Sequence, residues 1–209
     1  MDVGEIHLAI LLVALTLNAI GDVFLLRGAR EVNYEPGLDA LERTSESDIR
    51  FGALLGLLVI PPWFLILPYL SDIPGAAGLT ATLAWATYVA AVFAFHLGYA
   101  FVGPAIKRDP SLKAQLGKLI GLIALYSMLT AIIASIALAY AGFSGSLDMS
   151  WYHYATLPAV TVIFFQAVLG GIFKRVPHFQ IICGPLAMAA FFIGFFDMVN
   201  NNAGVFAGG

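Results

Sequence analysis

The 209-residue sequence predicts an all-α integral membrane protein, a bundle of six transmembrane helices with both termini outside. Three observations carry that prediction. Hydrophobic residues make up 60% of the chain and charged residues 11%, where a soluble domain carries roughly 25% charge. That leaves too little polar surface to cover a globule in water. The apolar residues gather into six runs, each near the ~20 residues that a helix needs to cross the hydrocarbon core. Every Lys and Arg falls in or beside alternate connections between those runs, the asymmetry that marks cytoplasmic loops.

The predicted spans lie at about 6–26, 51–70, 79–102, 116–140, 155–173 and 179–199, in a single domain covering 1–209. The first runs from Ile6 to Leu26. Asp2 and Glu5 precede it where a cleaved signal would carry basic residues, so it reads as a retained helix. Residues 28–50 form the one long polar stretch, a cytoplasmic loop. Pro36-Gly37 breaks it, and the run Leu38 to Arg43 suits a short surface helix. In the second span Pro61 and Pro62 lack backbone donors and predict a kink. Trp63 and Tyr69 then close that span at the outer boundary. Trp151, Tyr152 and Tyr154 open the fifth at the same boundary, where amphipathic rings are favoured. The remaining connections are short and force neighbouring spans to run antiparallel.

The basic residues set the orientation. Arg27, Arg30, Arg43 and Arg50 flank the first connection, Lys107, Arg108, Lys113 and Lys118 the third, and Lys174 and Arg175 the fifth. The second and fourth connections and both tails have none. The expected location is therefore a prokaryotic inner (plasma) membrane, with the N-terminus and C-terminus outside.

Polar groups at depth point to a site. A charge at mid-bilayer costs ~2.5–3.5 kcal/mol on insertion scales, so Asp22 in the first span is expected to face protein or water. Asn18 lies one turn earlier on the same face. His96 and Tyr99 share a face of the third span, Tyr126 and Ser127 lie in the fourth, and Gln166 lies in the fifth. Asn18, Asp22, His96, Tyr99, Tyr126, Ser127 and Gln166 together predict an inner-half polar pocket open to the cytoplasm. The alternatives are interhelical packing bonds for the neutral groups and, for Asp22, a cap or an ion pair with Arg27 or another inner basic residue.

A second polar cluster comprises His7, Asp148, His153, Asp197, Asn200, Asn201 and Asn202, at the outer end. No HxxxH or HExxH spacing supports a metal there, and no metal site is assigned. Cys183 is the single cysteine, which excludes an internal disulfide. A net charge of −3 gives no reason to expect nucleic acid. The last span lacks a lysine for a retinal Schiff base, and only His96 is deep, which argues against paired haem ligation. No phosphate-binding loop is present, and no cofactor can be named. The run Phe191 to Phe196 could line an apolar pocket for an acyl or isoprenoid chain, but the favoured expectation is that it faces lipid or a partner subunit.

Two resemblances attach to these residues. Gly21-Asp22-Val23-Phe24-Leu25-Leu26, the polar loop and Phe51-Gly52-Ala53-Leu54-Leu55-Gly56-Leu57-Leu58 resemble an uncharacterised bacterial family of small polytopic membrane proteins. That resemblance covers the first two spans and implies no activity. Gly21-Asp22 with His96-Leu97-Gly98-Tyr99 is similar to lysoplasmalogenase-type membrane hydrolases, which implies that Asp22 and His96 belong to an intramembrane site acting on lipids. The wider hydrolase group uses several histidines with a metal, and this chain has one deep histidine.

Three functions follow as alternatives. The protein binds or transports a small polar or amphipathic molecule through the inner-half pocket, with His96 suited to proton coupling. It is an accessory subunit of a larger membrane complex. Or it is a membrane-embedded lipid hydrolase, with Asp22 and His96 in acid–base roles. The corresponding partners are the lipid bilayer, a small-molecule or lipid ligand, and other membrane subunits or a second copy of the chain.

Overall fold

The computed structural model describes residues 3–28, 37–173 and 179–206, which are helical with no strand among them. The long elements are α1 (Val3–Leu25), α3 (Glu46–Val59), α5 (Gly75–Arg108), α6 (Lys113–Phe143) and α10 (Phe179–Asn201), with α2 (Gly37–Arg43) in the polar loop. Shorter pieces connect them: α4 (Leu67–Asp72), α7 (Trp151–Ala155), α8 (Pro158–Ile163), α9 (Gly170–Ile172) and α11 (Ala203–Phe206). Among the described residues five helical stretches are long and apolar enough to cross a membrane: Val3–Leu25, Glu46–Asp72, Gly75–Arg108, Pro110–Phe143 and Ile181–Asn201. Their outward side chains, such as Leu122, Ile133 and Ile136 of α6, are apolar and exposed, a surface that suits a bilayer better than water.

Two predicted spans differ in build. The second is interrupted where expected. α3 stops at Val59, and the chain continues as a 3-10 helix over Pro61–Ile66 before α4, because the two prolines cannot donate to the preceding turn. The fifth was expected over 155–173. It is a shorter apolar helix, Pro158–Ile172, roughly 22 Å long at 1.5 Å per residue. Pro158 is the reason: it forces Leu157 into an extended conformation (φ −58°, ψ 147°), so α7 cannot run on. A π-helical segment over Phe164–Leu169 then joins α8 to α9.

The larger apolar cluster occupies one half of the bundle. There Phe191, Phe192, Phe195 and Phe196 of α10 are buried against α1, α5 and the Pro61–Ile66 turn. Phe191 lies 5.0 Å from the Trp85 ring, and Phe192 5.9 Å from Trp63. This corrects the expectation that the phenylalanine run faces lipid or a subunit. It points inward, and Ile193 is the member of the run that is exposed. Trp63, expected at the boundary, is likewise buried and stacks on Tyr88. A smaller cluster, built on Leu25, Leu41, Ile49, Ala53, Tyr99, Val102, Ile106 and Ile120, fills the other half.

That other half carries the basic side chains. Thr44 ties it together: its Oγ1 accepts from Gly28 N–H at 2.9 Å, and its carbonyl accepts from Lys107 Nζ. Arg43 Nε donates to Gly28 O at 2.9 Å, and Lys113 pairs with Asp39 and with Glu42. The ends of α1, α3, α5 and α6 therefore meet at one basic end. Lys174, Arg175 and His178 lie outside the described residues.

Candidate functional site: a buried carboxylate–imidazole pair

A glycine spacing brings three helices together. Gly52 and Gly56 lie four apart on α3, the small-residue spacing that lets membrane helices approach closely. A Cβ at Gly52 would overlap the Gly21 carbonyl of α1. A Cβ at Gly56 would overlap the ring of His96 from α5. One face of α3 thus seats α1, and the next turn seats the histidine. This spacing is readable in the sequence but is not among the signals weighed there.

The pair forms across this junction. His96 Nε2 lies 3.0 Å from Asp22 Oδ1, and Asn18 Nδ2 donates to Asp22 Oδ2 at 3.1 Å. The side chains are 7% exposed for His96 and 18% for Asp22. The pair sits at the seam of the two apolar clusters, between Leu15 and Leu25 on α1 and between Val89 and Tyr99 on α5. Arg27, considered as an ion-pair partner for Asp22, instead lies 3.8 Å from Asp48.

Hydrogen-bond chemistry fixes the proton count. His96 Nδ1 lies 3.0 Å from the Val92 carbonyl, which can only accept, so Nδ1 carries a hydrogen. Nε2 therefore meets Asp22 Oδ1 favourably only if one further proton lies between them. The site is either imidazolium with carboxylate or neutral imidazole with carboxylic acid. Both are electrically neutral and both hold that proton. Without it, a lone pair would face a carboxylate in a poorly hydrated seam. One acceptor remains: Asn18 Oδ1 is buried and has no partner among the described residues. A buried acceptor left so costs about 1–3 kcal/mol, a deficit that a donor such as water or a ligand N–H or O–H would remove.

Of the other sequence-predicted site residues, Tyr126, Ser127 and Gln166 do not turn towards the pair. Tyr99 is buried one turn beyond His96, with its ring edge-on to Phe95 at 4.5 Å. Tyr126 is exposed on α6, and the half-buried Ser127 returns its hydroxyl to Ala124 O at 2.8 Å. Gln166 is exposed on the π segment.

At the far end a second histidine meets a second aspartate. His153 Nε2 lies 2.9 Å from Asp197 Oδ2, which also accepts from Asn201 Nδ2 at 3.1 Å. Here the backbone N–H of Ser150 donates to His153 Nδ1 at 3.0 Å, so Nδ1 is an acceptor and Nε2 carries the hydrogen. Burial holds this imidazole below its ordinary value, against the pull of Asp148. The other members of the predicted outer cluster separate. Asn202 bonds the Asp148 backbone at both groups, and His7 Nδ1 lies 2.9 Å from the Tyr69 hydroxyl. Among the described residues no three His, Cys, Asp or Glu side chains gather as a metal site would require. Comparison of the chain with protein-family models, with curated proteins and with solved structures gave no match.

Proposed function

We propose that this polytopic membrane protein binds or carries a small polar or amphipathic molecule at the α1–α3–α5 junction and exchanges a proton there. The reading includes six crossings, both termini outside, and a route from the basic, cytoplasmic end to Asp22. One observation carries it: His96 commits Nδ1 to the Val92 carbonyl while Nε2 lies 3.0 Å from Asp22, so the pair is uncharged only with one shared proton. A charged ligand group arriving at Asn18 or Asp22 can displace or recruit that proton, and this couples occupancy to proton movement. The unpartnered Asn18 oxygen supports a donor-bearing guest.

The test uses proteoliposomes that enclose a pH-sensitive dye. Amino acids, polyamines and short-chain carboxylates are added in turn to the wild type and to an Asp22→Asn, His96→Ala double variant. One class should move the dye in the wild type and fail to do so in the double variant. Equal responses from the two proteins would remove the pair from the mechanism. A wild type silent to every class would remove the coupling.

A further inference from the structure

The far end holds a feature that the buried pair does not use. A cleft of about 500 Å³ lies between α10 and the α7–α8 junction, lined by Tyr152, Thr156, Ala190, Ile193, Gly194 and Asp197. Ala190, Ile193, Gly194 and Asp197 are spaced i, i+3, i+4 and i+7, so they form one stripe along α10. The stripe is apolar until its end, where Asp197 stands near the helix terminus. Gly194 admits the opposite wall, since a Cβ there would overlap Thr156. Ile193 is exposed into this space while its neighbours Phe191, Phe192, Phe195 and Phe196 are buried.

The carboxylate at the mouth is held by two donors and is 48% exposed. Among the described residues its donors, His153 and Asn201, both go to Oδ2, which leaves Oδ1 to accept from outside. His153 brings no positive charge to it, because the Ser150 N–H occupies its Nδ1 and keeps the ring neutral. No counter-charge is close in the sequence either: residues 119–173 and 176–209 contain no Lys or Arg. Among the described residues no Lys or Arg pairs with Asp197, which disfavours a guest with a phosphate or carboxylate such as a phospholipid headgroup. A guest with an N–H cation and an apolar body satisfies both ends of the stripe.

We propose that this cleft binds an alkylammonium ion, with the ammonium on Asp197 Oδ1 and the alkyl chain along Ile193 and Ala190. Charge-assisted bonds of this kind are short and roughly twice as strong as neutral ones, and the chain supplies the apolar burial.

The experiment is calorimetric titration of octylammonium chloride into the full chain in phosphatidylcholine nanodiscs, with the heat from empty nanodiscs subtracted. Octanol and octanoate serve as neutral and anionic isosteres. Saturable binding of the amine alone is expected, weakened about tenfold by Asp197→Asn, as loss of a charged hydrogen bond implies. It should be unchanged by Asp72→Asn, another acidic residue of the far end. Ala190→Phe fills the cleft without touching the carboxylate and should abolish binding, which decides the matter if Asp197→Asn does not fold. The proposal is overturned if octanoate binds as well as the amine. It is equally overturned if Asp72→Asn matches the loss in Asp197→Asn, if Ala190→Phe keeps the wild-type affinity, or if no binding exceeds that of empty nanodiscs.

Discussion

The two histidine–aspartate pairs have the same atoms in contact at nearly the same distance, 3.0 Å for His96–Asp22 and 2.9 Å for His153–Asp197. They differ in what touches the other ring nitrogen. A carbonyl faces Nδ1 of His96, and a backbone N–H faces Nδ1 of His153. The first ring must donate there and the second must accept. The same side-chain pair therefore stores an extra proton at the helical seam and none at the far end. Exposure separates them further: Asp22 is 18% exposed and Asp197 48%. One carboxylate shares its histidine's proton in a poorly hydrated seam, while the other is half-exposed and open to water. A histidine–aspartate contact has no fixed electrostatic meaning until the second nitrogen's partner is known.

Breaking the pairs separately gives the largest difference. His96→Ala leaves Asp22 in the seam with only Asn18 as donor. Removing one partner of a buried pair costs ~3–5 kcal/mol, and the partial exposure of Asp22 places the expected loss near the lower end. His153→Ala leaves a half-exposed carboxylate that water can reach, so about 1 kcal/mol is expected, mainly from the orphaned Ser150 N–H. Thermal unfolding of both variants in the same detergent checks the ratio. Equal losses would mean that the two sites are electrostatically alike.

Gly56→Ala tests how the first pair is held. The added methyl overlaps a ring fixed by hydrogen bonds at both nitrogens, so it should cost about 1–3 kcal/mol as overpacking does and also displace His96 from Asp22. Nitrogen-15 spectra of labelled histidine would report both effects. In the wild type, His96 should show a protonated Nδ1 and His153 an unprotonated one. In Gly56→Ala, only the His96 signals should move.

What the sequence made legible follows the cost of each choice. Asp22 and His96 were expected to meet because polar groups at membrane depth need partners, and that cost is visible in composition alone. Tyr126, Ser127 and Gln166 were expected in the same pocket, but depth does not determine helix rotation. α6 is apolar on every side, so nothing in its pattern says which face turns inward, and Tyr126 turns out. The same blindness inverted the phenylalanine run of α10, where all faces are apolar and packing against Trp63 and Trp85 decides. The shortened fifth span has a local signal in Pro158, which acts on the residue before it, but the expected span over 155–173 ran through that proline.

pH provides a weaker test at the far end. Burial depresses the His153 value below the ~6.5 of a free imidazole. The unfolded chain therefore binds a proton more readily than the folded one. Stability is complete above about pH 6.5 and falls as the pH drops below it. His153→Ala should flatten that slope in acid denaturation profiles, whereas a slope unchanged by the substitution would assign it to another group.

The smallest expected effect sharpens the comparison most, because it separates two opposing terms at one residue. Asn18 stabilises Asp22 through Nδ2 at 3.1 Å while its own Oδ1 is buried without a partner. Asn18→Leu removes both. The lost bond to a charged or proton-sharing carboxylate is worth about 1.5–3 kcal/mol, and the relieved acceptor about 1–3 kcal/mol, so the net change in unfolding free energy should be within about 1 kcal/mol. Asn18→Asp keeps the shape but places a second carboxyl beside Asp22. Two adjacent carboxylates disfavour double ionisation, so this variant should take up one more proton than the wild type on folding, read as a steeper loss of stability on raising the pH. If Asn18→Leu instead costs as much as His96→Ala, the Asn18 oxygen is already satisfied by a bound donor, and the junction is occupied in the resting protein.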